Sequence, residues 1–288
     1  MTRRPTSATP KRLLAWLLLG IACASPNAPR VDGPPRLVSL VPAFTETIAE
    51  IGARETLAGR SDWCALPNDI AHLPSFGTAL TPALEPLART AATAVLLDGS
   101  GATRAADIAA IAPVVSLPWL TLSDVVAGTR RLGALTGRTD AAEALAQRFA
   151  TLGDVPAGPA LDALLVLGDA ADGREVWYVM PGSLHGAALR SAGGISVLPD
   201  PSSGPPVIST EALMRLDPPR LLVLVPTSPG ADIDAARHGA QAAWGQWSSL
   251  TAVQTGRLAI VAGPAVMSTG PSILATRDAL RDALLAMP

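Results

Sequence analysis

The chain has 288 residues, of which 49% are hydrophobic and 16% charged, a balance that excludes a disordered polypeptide and a length that suits two modest domains better than one. Its formal net charge is −2 and Lys and Arg nowhere cluster, so no nucleic-acid partner is expected. Aromatic side chains are scarce, with six Trp, three Phe and a single Tyr, so the position of each ring bears on function.

The first residues read as an export signal. Arg3, Arg4, Lys11 and Arg12 precede an apolar run over 13–22, shorter than the roughly 20 residues needed to cross a bilayer. Residues 1–24 are assigned to a signal peptide and 25–35 to a flexible, Pro-rich leader. Two processing routes are open: cleavage after Ala24 on the pattern Ala22-Cys23-Ala24, or lipid attachment at Cys23. Without the four bases of this segment, 18 bases face 24 acids, a net charge near −6. By either route Cys64 has no cysteine partner, which rules out a disulfide framework. The expected location is periplasmic, with Cys23 as anchor on the lipid route.

From residue 36 onward, short apolar runs alternate with helix-like stretches, the pattern of an α/β protein with parallel sheets. Strands are predicted at 37–41, 94–97, 114–117, 163–167, 176–179, 221–225 and 258–261. Helices are predicted at about 44–51, 83–91, 104–111, 123–135, 184–192, 210–216, 233–243 and 273–286. The segment 141–152 (AAEALAQRFATL) is a strong helix former, and the Pro/Gly-rich stretch 156–159 follows it. The expected fold is two Rossmann-like lobes joined by one backbone helix, with an N-terminal lobe at 36–137, the bridging helix at 138–155 and a C-terminal lobe at 156–288. Residues 199–207 read as an exposed loop.

A weak internal echo links the halves. Leu84-Glu85-Pro86-Leu87 precedes the run 94–97, and Thr210-Glu211-Ala212-Leu213 precedes the run 221–225. The plainer reading of both acids is a first-turn glutamate favoured by the helix dipole.

No enzyme is expected. His72, His185 and His238 are far apart and show neither HxH nor HExxH spacing, so no metal site is assigned. Gly182-Ser183-Leu184-His185-Gly186 has the wrong order for a nucleophile elbow, and Gly99-Ser100-Gly101 reads as a strand-to-helix turn. No nucleophile, base and orienting group converge, so there is no catalytic residue or cofactor to name.

The informative segment is Arg60-Ser61-Asp62-Trp63-Cys64-Ala65-Leu66-Pro67, where a Trp bounded by Gly59 and Pro67 suits a loop that presents its ring. With a strand ending in Pro42 and a Thr45-Glu46 helix start, it makes the sequence similar to the bacterial periplasmic binding proteins of the vitamin B12 and iron-siderophore uptake class. The S-D-[YW]-C-x-x-P segment, matched by Ser61 to Pro67, resembles the cobalamin-binding members most. Further matches are Leu84-Glu85, Thr136-Gly137-Arg138, Ala192-Gly193-Gly194, Ile208-Ser209-Thr210-Glu211, Leu216-Asp217-Pro218 and Gly256-Arg257-Leu258, so that the resemblance spans residues 36–286.

The resemblance implies an exported solute-binding protein of an ABC importer that holds a corrinoid between its lobes. Trp63 would stack on the macrocycle, with Phe44, Ser61, Asp62 and Cys64 around it. The second lobe would contribute Trp177, Gly182, Ser183, His185, Met267, Ser268 and Thr269. Glu85 and Glu211 would dock the protein, expected to be a monomer, onto an ABC permease dimer. Trp244 and Trp247 are left as packing.

Two departures keep other ligands open. Gly204-Pro205-Pro206 stands where cobalamin binders often carry an aromatic, and 265–269 (AVMST) where they can carry Asp and Arg. Heme, with His185 as the candidate axial ligand, and a ferric siderophore, which would want a basic cluster, are the alternatives. A chelatase-like α/β enzyme is a more distant rival.

Overall fold

A computed structural model describes residues 34–168 and 175–288. The signal segment, Cys23 and the leader up to residue 33 lie outside the described residues. Strand β1 (Leu37–Ser39) leads into α1 (Pro42–Glu50). Pro42 opens this helix two residues before the predicted start, because its ring presets φ and the first turn has no use for its missing N–H. Strands β2 (Leu57–Arg60), β3 (Ala94–Leu97) and β4 (Val114–Ser116), with α2 (Leu84–Ala88) and α3 (Ala105–Ala109), complete the first lobe. Its four strands are parallel in the order β2-β1-β3-β4.

Helix α4 (Leu122–Thr136) opens on a reciprocal capping box between Thr121 and Asp124 and ends at Gly137, whose φ of 72° terminates the helical path. Helix α5 (Thr139–Ala150) and a single 3-10 turn at Thr151–Gly153 then carry the chain to the second sheet. Its buried residues Ala142, Leu145, Ala146 and Phe149 are spaced i, i+3, i+4, i+7, one apolar stripe of a helix.

The second lobe contains β5 (Leu161–Leu167), β6 (Glu175–Tyr178), α6 (Leu184–Ser191), β7 (Gly194–Ser196), β8 (Val207–Ser209), α7 (Thr210–Leu216) and β9 (Leu221–Pro226). It closes with α8 (Ile233–Gly245), α9 (Thr251–Gln254), β10 (Leu258–Gly263) and α10 (Ile273–Ala286). The sheet runs β10-β9-β5-β6-β8, parallel through β10, β9 and β5 and antiparallel at β6 and β8. Only residues 168–174 separate β5 from β6, too few for a parallel crossover, which takes a dozen or more. β7 pairs with the first half of β5, at Leu161–Ala163.

Three apolar layers follow from the two-residue period of the strands. Val95 and Leu97 face outward under α2 and α3 with Leu87 and Ile108, while Leu96 faces inward. In the second sheet Leu164, Val166, Leu221 and Val223 face outward with Trp244, and Leu165, Leu222 and Leu224 face inward. The inward faces of both sheets join α1, α4, α5, α6 and α10 in one continuous core. Among the described residues, no helix is long and apolar enough to cross a membrane.

Candidate functional site: the cleft between the lobes

A cleft of about 310 Å³ opens at the carboxyl ends of the parallel strands, where open α/β sheets place their ligand crevices. Val41, Pro42, Ala43 and Glu46 line it after β1, Trp63, Ala65 and Leu66 after β2, and Asp98 after β3. From the second lobe, Pro264, Met267, Ser268 and Thr269 line it after β10. No Lys, Arg, His or Tyr stands among these lining residues.

Trp63 is 62% exposed, and its loop is held from beneath. The Ser61 hydroxyl, fully buried, accepts the Trp63 N–H at 3.2 Å. The Asp62 N–H donates to the Gly77 carbonyl at 2.8 Å, and the Ser75 hydroxyl donates to the Asp62 carboxylate. The Arg60 guanidinium donates to the carbonyls of Ser61 at 3.1 Å and Ala71 at 3.3 Å, tying both ends of the loop to one planar group. A large apolar ring is thus presented to solvent on a braced support.

Glu46 is the charged residue that sequence reasoning left as part of a helix start. Pro42 and Glu46, four apart on α1, share the face that looks into the cleft. The Glu46 carboxylate accepts from the Ser268 hydroxyl at 2.5 Å, from the Ser272 N–H at 2.6 Å and from the Ser272 hydroxyl. The Trp119 indole N–H donates across the lobes to the Thr269 carbonyl at 3.0 Å.

The sequence pattern described as periplasmic binding protein matches residues 37–264. The chain belongs to that family. No curated protein sequence matches it. Solved structures give the fold: a periplasmic heme binding protein of Pseudomonas aeruginosa superposes with a TM-score of 0.71 at 22% identity, covering 89% of this chain and 95% of the other. A periplasmic vitamin B12 binding protein of Vibrio cholerae gives 0.66 at 15% identity over 87% and 96%. A siderophore binding protein of the same organism, bound to ferric Desferal, gives 0.64 at 19% identity over 89% and 100%.

In this periplasmic binding protein, Trp63, Met267 and Ser268 of the predicted site line the cleft, and several of the others do not. Phe44 is fully buried and meets Trp119 edge-on, with ring centroids 4.9 Å apart at 69°. Its side chain shares the core face of α1 with Ile48, four residues on, and is absent from the cleft lining. Cys64 is buried too: its sulfur lies 3.1 Å from the Thr45 hydroxyl, and burial pushes the thiol pKa up. Ser61 and Asp62 brace the loop and are absent from the cleft lining.

In the second lobe, Ser183 caps α6, donating to the Met180 carbonyl at 2.7 Å and accepting the Gly186 N–H at 3.1 Å. Gly182 donates its N–H to Asp200 at 2.9 Å. His185 is buried with Nε2 2.9 Å from the Val266 carbonyl. A carbonyl only accepts, so Nε2 carries the proton, and His185 is absent from the cleft lining. Trp177, half-exposed and paired with Leu167 and Val207 in the sheet, is also absent from the cleft lining. Among the described residues, no group of three or more His, Cys, Asp or Glu side chains is placed to hold a metal ion.

Glu85 and Glu211 both sit in the first turns of short helices, α2 and α7, on the surface. Glu85 pairs with Arg89 at 2.8 Å. The Glu211 carboxyl is held below the usual carboxylate range by its own backbone amide and by the Ser209 hydroxyl.

Proposed function

We propose that this protein is the exported, periplasmic solute-binding subunit of an ABC importer and that it captures a corrinoid between its lobes. One observation carries the reading: an exposed tryptophan, Trp63, stands over a cleft whose lining has two carboxylates, Glu46 and Asp98, and no Lys, Arg, His or Tyr. A corrinoid is a broad apolar macrocycle edged with neutral amides, and it needs no protein ligand to complete its cobalt. Heme brings two carboxylates that want cationic partners and an iron that wants an axial donor, and an anionic siderophore complex wants an arginine cluster. The Glu46 and Asp98 carboxylates oppose both. At about 310 Å³ the cleft is at the small end of ligand pockets, which suits grip on an edge of the macrocycle with the rest held between the lobe surfaces.

In this reading Glu85 and Glu211 meet basic residues of the permease dimer, one from each lobe, and the protein does no chemistry on its ligand. The test is calorimetric and spectroscopic titration of the mature protein with cobinamide, cobalamin, heme and a ferric hydroxamate. The expected result is binding of one or both corrinoids, weakened about tenfold or more by Trp63→Ala, the order expected for losing a buried large apolar side chain. Tighter binding of heme or of the ferric hydroxamate, or no corrinoid binding at all, would overturn the ligand assignment.

A further inference from the structure

We propose that Glu46 is a positioning residue: from the first lobe it sets the ligand-facing loop of the second, so that ligand retention depends on a side chain across the cleft. The inference rests on the reading of the cleft as the ligand site. The loop runs from the end of β10 to the start of α10, residues 264–272, and carries Met267, Ser268 and Thr269 into the cleft.

Its own lobe holds the loop at Val266, through the His185 imidazole. Beyond that point the first lobe takes over. Ser268 and Ser272 donate three hydrogen bonds to the Glu46 carboxylate, and the Thr269 carbonyl accepts from the Trp119 indole. The Ser268 hydroxyl also accepts the Gly270 N–H at 2.9 Å, so one side chain links the carboxylate to the loop backbone. At Gly270 the contact leaves no room: a Cβ there would lie 2.7 Å from a Glu46 oxygen and 3.2 Å from the Ala43 Cα.

Hydrogen bonds to a carboxylate are short and about twice as strong as neutral ones, and they tolerate little stretching. A separation of the lobes by a few ångströms would break all of them together. Met267 lies between the two anchors, so the wall it forms is complete only while the lobes are closed. Glu46 also sits at the N-terminus of the 14-residue α10, where negative charge is favoured.

The mature chain is tested in two arms. Amide exchange of the segment 264–272 is followed without ligand, and dissociation of cobinamide is followed by displacement. Glu46→Ala is expected to speed both about tenfold. Glu46→Gln is expected to be intermediate, since it keeps one acceptor oxygen but turns an N–H₂ toward donors. Ser268→Ala with Ser272→Ala removes the two hydroxyl bonds without touching α1 and leaves the one from the Ser272 N–H, so it should reproduce part of the effect and add little to Glu46→Ala.

Unchanged amide exchange in these variants would overturn the positioning role. Faster exchange with unchanged dissociation would overturn its link to ligand retention. Failure of the wild type to bind cobinamide would count against the corrinoid reading alone, and the exchange arm would still decide whether Glu46 sets the loop.

Discussion

Phe44 and Glu46 are two positions apart on one helix and end in opposite surroundings, the first in the core and the second in the cleft. Two residues of an α-helix turn through about 200°, so a bulky apolar side chain seated with Ile48 leaves the residue two places on for the other face. His185 shows what burial does to a titrating group. Desolvation holds its imidazole pKa below the ordinary value of 6.5, although the Val266 carbonyl works the other way. The folded state therefore keeps His185 neutral, while the unfolded chain takes up a proton as pH falls below about 6.5. The stability this group contributes is present above that pH and is lost as pH drops toward the depressed folded value. The fall in urea midpoint between pH 7 and 5.5 should be steeper in the wild type than in His185→Gln, and equal slopes would refute this. Cys64 has the opposite sign: its raised thiol pKa leaves neutral pH untouched and penalises the fold only as pH climbs above the usual thiol range.

At the level of elements, the strands that were readable are those with continuous apolar runs, such as Ala94–Leu97 and Leu221–Pro226, because burial on both faces writes itself into composition. β2, β7 and β8 were not readable. Leu-Ala-Gly-Arg, Gly-Ile-Ser and Val-Ile-Ser are three or four residues long and become strands only by pairing with neighbours distant in sequence. β2 matters most, since the loop that lifts Trp63 leaves from its end. The docking role proposed for the two short helices is tested by transport. Glu85→Ala with Glu211→Ala should abolish or strongly slow uptake in a reconstituted importer while ligand affinity stays at the wild-type value, and each single change should slow it less, since two fixed points set orientation. Undiminished uptake by the double variant would exclude docking through these residues.

For the whole molecule, the decisive feature is that the inward faces of both sheets share one apolar core through α5 and α10. Each sheet has an outer layer of its own, but neither lobe can melt without exposing part of the core it shares with the other. Thermal unfolding followed by far-ultraviolet and near-ultraviolet circular dichroism should therefore give coincident single transitions, and two resolved transitions would show that the lobes are independent. The same shared core limits closure to small movements, which is the scale on which three hydrogen bonds to Glu46 can govern the cleft. By itself the sequence determined the α/β class, the apolar strands, the amphipathic helices and the tryptophan loop, because each depends on residue type and on spacing within one short segment. Tertiary structure decided that Phe44 and Cys64 are core, that His185 is committed to a carbonyl, and that Glu46 reaches Ser268 and Ser272 more than 220 residues away. Such contacts depend on how two lobes pack, and no local pattern in either lobe records its partner.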